Sequence, residues 1–161
     1  MRLVYVFHLH RLICTQTGYD PLENFVKEFT LAETMLRTPK DQILPIGVGF
    51  LGWKLDDPKS TVQKQALDLV LTRRVRAIWL SFGSNLGKYV RYIREHDEKA
   101  NKSGAGDNHK TVVLVVVSNV EEAIAAVKRD EADILVAQGV QNSRPCLPLE
   151  TEIWSFFDPR R

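Results

Sequence analysis

The sequence predicts an α/β protein built on a parallel β-sheet, and three observations lead to this class. Four apolar runs begin near residues 43, 77, 111 and 132, at fairly regular intervals. Each run is apolar at consecutive positions, which is typical of strands whose two faces are both buried in a parallel sheet. Segments with helical periodicity separate the runs, so each pair of strands is expected to be joined by a right-handed crossover.

The first half of this pattern begins with a helix. Residues 21–36 carry Phe25, Phe29, Ala32 and Leu36 on one stripe, which indicates an amphipathic helix. A strand is then expected over residues 43–50 and a helix over residues 61–74, where the Thr61 hydroxyl can accept a free first-turn amide. The next strand is expected over residues 77–82.

The second half repeats the alternation with a helix over residues 86–96 and a polar, solvated loop over residues 98–110. Residues 111–117 contain five valines, whose β-branching favours a strand. An amphipathic helix with Val120, Ile124 and Val127 facing inward follows over residues 119–129. A strand over residues 132–137 closes the series, and residues 3–9 offer one further strand.

Composition excludes several classes of protein. The 161 residues are 44% hydrophobic and 26% charged, which is ordinary for a globular domain and argues against disorder. The 22 Lys and Arg against 20 Asp and Glu give a net charge of +2, too small to indicate a nucleic-acid or acidic-membrane partner. We therefore expect one domain over residues 1–161 that binds neither nucleic acid nor membrane.

The cysteines and the amino-terminal segment indicate the cellular compartment of the protein. Cys14 and Cys146 form neither a disulfide framework nor a Cys-x-x-Cys pair, which favours two free thiols in a reducing compartment. The early apolar run is interrupted by His8, His10 and Arg11, so it is too short and too polar to span a bilayer. These features predict an intracellular, cytoplasmic location.

A ligand site is expected at the carboxyl ends of the strands, where parallel α/β proteins bind their ligands. Polar and glycine residues collect at these positions: Gly49, Trp53, Ser81, Gly83, Ser118, Asn119, Gln138 and Gly139. Turns also use such residues, so a purely structural role stays open. We interpret Trp53, Trp79 and Phe82 as core residues.

Two weaker motifs offer other chemistry. Gly47, Gly49 and Gly52 match the Gly-x-Gly-x-x-Gly pattern of a dinucleotide site, but Pro58 argues against an immediate helix and the next strand does not end in an acidic residue. His8 and His10 have the spacing of a metal-binding pair without a third ligand nearby. We interpret these glycines as residues that let the backbone pass close to a flat group at the carboxyl end of a strand.

Several segments together resemble the fungal branch of the nitronate monooxygenases. They are Leu-Pro-Ile-Gly-Val-Gly-Phe-Leu-Gly-Trp at 44–53, Ala-Ile-Trp-Leu-Ser-Phe-Gly at 77–83, Val-Glu-Glu-Ala at 120–123 and Ala-Asp-Ile-Leu-Val-Ala-Gln-Gly at 132–139. Gly-Tyr-Asp-Pro at 18–21 and the helix after it also fit. The resemblance covers about residues 18–140.

The resemblance implies a flavin enzyme on a (β/α)8 barrel, a fold of the TIM type. Such an enzyme binds FMN and oxidises alkyl nitronates with O2, giving a carbonyl compound and nitrite. By this likeness Gly49 is the position where a strand end passes the flavin, and Gln138 and Gly139 match the family's FMN-contacting glutamine and the glycine after it.

The chain departs from the family at both ends. Residues 141–145 replace the family's Glu-Ala-Gly-Gly-His, so Pro145 stands at the position of the catalytic histidine and Ser143 and Arg144 replace the two glycines. Residues 1–17 do not match the family. We therefore expect an incomplete barrel with divergent ends, 1–17 and 141–161, and with impaired activity.

Two alternatives remain open at this point. An incomplete barrel exposes the edges of its sheet, which favours self-association or a non-catalytic interaction protein. The apolar segment at residues 153–157 could also cover part of the exposed face. The second alternative is a nucleotide-binding module that uses Gly47, Gly49 and Gly52.

Overall fold

The computed structural model describes residues 5–7, 12–16, 21–39, 42–59, 61–103 and 108–138. Six strands and five helices are formed by these ranges. In chain order they are β1 (Tyr5–Phe7), β2 (Leu12–Gln16), α1 (Leu22–Leu36), β3 (Leu44–Leu51), α2 (Gly52–Asp56), α3 (Val62–Thr72), β4 (Val75–Ser81), α4 (Gly87–Lys102), β5 (Val112–Val117), α5 (Val120–Lys128) and β6 (Ile134–Ala137).

The strands form one sheet whose spatial order is the order of the chain, from β1 to β6. β1 and β2 are antiparallel, and every later neighbouring pair is parallel. The α/β class and the parallel arrangement of the four expected strands are therefore confirmed. The strand expected within residues 3–9 contains β1, but the parallel neighbour of β3 is β2, which the sequence did not predict.

The two faces of the sheet differ in how they are covered. Val48, Ile78 and Val113 are fully buried in a single core cluster that includes residues of α1, α3, α4 and α5. Alternate residues of a strand point to the opposite face. We call that other face, carrying Gly49, Trp79, Leu114 and Ile134, the open face, because its first three residues are half-buried and Ile134 is exposed.

Helix α5 differs from the expectation in the direction that its apolar residues face. Val120, Ile124 and Val127 were expected to point inward, but they are 73%, 50% and 54% exposed. The small residues Ala123 and Ala126 make the contact with the core instead. The prediction was wrong because the most apolar stripe of the helix was assumed to be the buried one.

Two further differences concern segments that look polar or broken in the sequence. α4 continues to Lys102, into the expected loop over residues 98–110, and its inner side there carries the buried Asp97. α2 forms directly after β3 and ends before Pro58, so the proline limits this helix without preventing it. Within the described ranges, no helix is long and apolar enough to cross a membrane.

Candidate functional site

The carboxyl edge of the sheet collects most of the residues that the sequence singled out. Ser81 ends β4 and Gly83 lies in the loop after it, while Ser118 and Asn119 join β5 to α5. Gln138 directly follows β6. Gly139 and Pro145 lie outside the described residues, as do His8, His10 and Cys146.

Gly49 and Gln138 occupy register positions on the same face of the sheet. Gly49 is paired with Trp79, Trp79 with Leu114, and Leu114 with Ile134. The backbone N–H of Gln138 donates a hydrogen bond to the backbone carbonyl oxygen of Val117 over 2.9 Å, so the pairing of β6 with β5 reaches this residue. Since Gln138 is four residues beyond Ile134, its position belongs to the open face.

The open face offers a flat apolar surface with polar residues at its carboxyl end. Trp79 and Leu114 are half-buried in its middle, and the buried Ser81 follows Trp79 on the same face. Trp79 was expected in the core, but it is half-buried. Burial differs between neighbouring residues of β4: Ile78 and Leu80 are fully buried, whereas Trp79 between them is half-buried. This alternation separates the two faces of the sheet.

The other two aromatic residues at this edge are exposed. Trp53 is 46% exposed and Phe82 is 54% exposed, so their assignment to the core was wrong. The Lys54 ammonium lies 4.8 Å from the centre of the Trp53 ring, a cation–π contact at the surface. These rings follow the ends of β3 and β4, and Phe82 lines a cleft on the side of the sheet that the helices cover.

A cleft of about 200 Å³ lies on the other side of this edge, between the loop after β4 and helix α5. Its lining includes Gly83, Leu86, Ser118, Glu122 and Arg129. Ligand pockets for drug-sized molecules usually have volumes of about 300–1,000 Å³. The cleft is therefore small for a nucleotide or flavin, and neither Gly49 nor Gln138 lines it.

The amino end of α5, which borders this cleft, is already capped. The Asn119 side chain accepts a hydrogen bond from the amide of Glu122 over 2.8 Å. The Glu122 carboxylate in turn accepts from the amide of Ser118 over 2.7 Å. This reciprocal arrangement satisfies two amides that an anion would otherwise use.

The glycine motif does not have the geometry of a dinucleotide site. In that fold the glycines lie in the turn between strand and helix, where the backbone approaches the pyrophosphate. Here Gly47 and Gly49 lie inside β3, and Gly52 begins α2. A Cβ on Gly52 would stand 2.8 Å from the Cα of Gly83, so this glycine allows two neighbouring loops to pack.

The opposite, amino edge of the sheet carries a buried polar network around His109. The Asp97 carboxylate accepts from the amide and the hydroxyl of Thr111 over 2.8 and 2.9 Å. The Nε2 atom of His109 lies 3.1 Å from the carbonyl oxygen of Val75. Burial lowers the pKa of His109, although the nearby Asp97 charge opposes this effect.

His109 was expected in a solvated loop but is only 5% exposed. Asn101 holds its backbone from both sides, donating to the His109 carbonyl over 2.9 Å and accepting from its amide over 3.0 Å. The network joins α4 to the starts of β4 and β5. Because the network lies at the amino edge of the sheet, away from the carboxyl ends of the strands where parallel α/β proteins bind ligands, we assign it a structural role.

Arg94 and Asp133 form a second cluster that ties β6 to β5. Asp133 accepts from Arg94 over 2.5 Å, from Lys110 over 2.7 Å and from the amide of Val113 over 2.8 Å. Burial alone raises the pKa of Asp133, but these three hydrogen bonds and the Arg94 charge outweigh it and hold the pKa below its usual range. Among the described residues, no three His, Cys, Asp or Glu side chains are grouped so that they could hold a metal ion.

Comparison of the chain with family models, with curated proteins and with solved structures finds no match. The features of the chain that bear on its function are therefore its sequence motifs and the geometry of the carboxyl edge.

Proposed function

We propose that this protein is a nitronate monooxygenase-like flavoprotein that binds FMN on the open face, at the carboxyl edge of its sheet. The observation that carries the proposal is the shared face of Gly49 and Gln138, the two described positions that the family resemblance links to the flavin. Three strand pairings separate these residues, so their common face is a property of the fold and not of one local motif.

The order of the strands supports a barrel-type sheet. In a doubly wound sheet the strand order reverses at a switch point and helices cover both faces. Here β2 to β6 follow one another in space without reversal, and the helices share one core cluster with one face of the sheet. Five consecutive parallel strands with this order are what part of a (β/α)8 barrel would present.

The residues of the open face suit the ring system of FMN. A planar isoalloxazine needs a flat apolar surface, which Trp79 and Leu114 can offer, and Gly49 has no side chain to hold it away. The Gln138 amide can both donate and accept a hydrogen bond at the edge of the ring. When bound, FMN supplies electron transfer between the nitronate and O2, and the products are a carbonyl compound and nitrite.

The substrate that we propose is an alkyl nitronate that arrives already ionised. A neutral nitroalkane has to lose a proton from carbon before it can be oxidised. Proline has no titratable group, so Pro145 at the family's histidine position cannot take that proton. We expect activity with preformed nitronates to exceed activity with the parent nitroalkanes.

The test is a titration of the purified full chain with FMN, followed by a nitrite assay with a preformed nitronate. Gln138→Ala should weaken FMN binding about tenfold, because a hydrogen bond to the ring is lost. The matched control is Gln42→Ala, since Gln42 is an exposed glutamine just before β3 at the amino edge. This control should bind FMN like the unchanged protein.

Three results would overturn the proposal. The first is a protein that is colourless as purified and causes no change in the flavin spectrum when it is titrated with FMN up to millimolar concentration. The second is that the two glutamine substitutions weaken FMN binding equally. A flavin-loaded protein that forms no nitrite would retain the cofactor site but exclude the nitronate reaction.

A non-catalytic interaction protein is the second candidate function. The observation that favours it is the exposed apolar stripe of α5, which consists of Val120, Ile124 and Val127. Three branched apolar side chains on consecutive turns of an exposed helix are unusual on the surface of a monomer.

A further inference from the structure

We infer that a second copy of this chain covers the α5 stripe, Val120, Ile124 and Val127, in a two-fold dimer that also pairs the β6 edges. The stripe residues are half or more exposed, and they are spaced by four and three residues along a nine-residue helix. This spacing is that of a helix face that packs against another helix.

The stripe points away from the rest of the protein and past the edge strand. The opposite side of α5, with Glu122, Ala125 and Arg129, lines the cleft shared with the loop after β4. The stripe is about half a helical turn away from these residues, so it faces the β6 side. Within the described ranges β6 is the last strand of the sheet and has β5 as its only neighbour.

A single two-fold axis beside β6 would cover the α5 stripe and pair the edge of β6 at the same time. α5 packs on β5 and connects it to β6. Because strands in a sheet are spaced about 4.8 Å apart, a position above these two strands would place α5 and its copy about 10 Å apart. Packed helices are separated by about 8–10 Å. The same symmetry makes the two β6 strands antiparallel, which an axis perpendicular to the sheet requires.

The charges on α5 favour the antiparallel arrangement of the two helices. Glu121 and Lys128 are seven residues apart, two turns, and therefore flank the stripe on the same side. In an antiparallel pair, Glu121 of each copy faces Lys128 of the other, and Ile124 meets Ile124 near the axis. A parallel pair would instead bring like charges together, so a second copy in this orientation is the occupant that the helix fits.

The experiment is sedimentation equilibrium of the full chain over a range of concentrations. We expect the mass to rise from 18.4 kDa toward twice that value, with weak association because the stripe is small. Ile124→Glu should weaken association at least about tenfold, since the side chain lies at the centre of the contact. Circular dichroism establishes that the variant is folded.

A charge swap distinguishes this interface from non-specific hydrophobic association. Glu121→Lys should weaken the dimer about threefold, and adding Lys128→Glu in the same chain should restore it, because the opposite charges face each other again. Cross-linking gives the geometry in a chain with Cys14 and Cys146 replaced by serine. Ile124→Cys should form a disulfide with itself, whereas Val120→Cys should cross-link to Val127→Cys and not to itself.

Several outcomes would overturn the inference. A monomer at all concentrations would do so, whether the stripe stays bare or residues 139–161 cover it. A dimer that is insensitive to Ile124→Glu, or self-cross-linking by Val120→Cys, would also contradict it.

Discussion

The contact between Gly87 and Asp130 shows how one missing side chain fixes a helix. A Cβ on Gly87, the first residue of α4, would stand 2.0 Å from the Oδ1 atom of Asp130. Asp130 is buried, and its carboxylate accepts two hydrogen bonds from Arg129, at 2.8 and 3.0 Å. A methyl group at residue 87 therefore requires this buried, hydrogen-bonded carboxylate to move.

We predict that Gly87→Ala destabilises the protein by about 2 kcal/mol or more, because the methyl group overlaps Asp130. The sign is informative, since replacing glycine with alanine in a helix normally stabilises it by up to about 1 kcal/mol. Urea denaturation measures the change. The control is the double variant with Asp130→Ala, in which the added methyl group should cost much less. A stabilising Gly87→Ala would contradict the contact.

His109 should make stability depend on pH. Its pKa in the folded protein is lowered by burial, so the unfolded chain takes up the proton first as the pH falls. The stability that depends on the neutral ring is complete above the unfolded value of about 6.5 and is lost progressively below it. We predict a lower urea midpoint at pH 5.5 than at pH 7.5. His109→Gln should reduce this difference, and an unchanged difference would exclude His109 as its source.

At the scale of elements, the alternation of strands and helices was predictable because each element carries its own pattern. The valines of β5 and the stripe of α1 lead to bounds within one residue of those observed. α2 was missed because five residues cannot show a helical period, and β2 because its neighbourhood has weak patterning. The last turns of α4 look like a loop because their inner side is polar, with Asp97 buried against Thr111.

The Arg94 and Asp133 cluster should hold β6 against β5. We predict that Asp133→Ala costs about 2–3 kcal/mol, because it removes the acceptor of the Val113 amide and leaves the charge of the mostly buried Arg94 without its carboxylate partner. Lys110→Ala should cost less than about 0.5 kcal/mol, because Lys110 is 66% exposed. Chemical denaturation compares the two variants. Equal effects would show that the salt bridge of Lys110 is as important as the buried hydrogen bonds.

At the scale of the whole molecule, the sequence indicated the parallel sheet but not which face of it is covered. Consecutive apolar residues in each strand suggested burial on both faces, whereas the helices described here share one core cluster with only one of them. The site positions Gly49 and Gln138 were named from the resemblance, and their common face followed only from the register of four strands. Long-range register of this kind is invisible to local periodicity.

An NMR titration of the 15N-labelled full chain with FMN tests directly whether FMN lies on the open face at the carboxyl edge. If FMN binds there, the backbone amides of Gly49 and Gln138 and the indole N–H of Trp79 shift together with one affinity, while the amides of Gln42 and His109 at the amino edge do not shift. Shifts confined to the amino edge or to the helices, or no shifts at millimolar FMN, would contradict it.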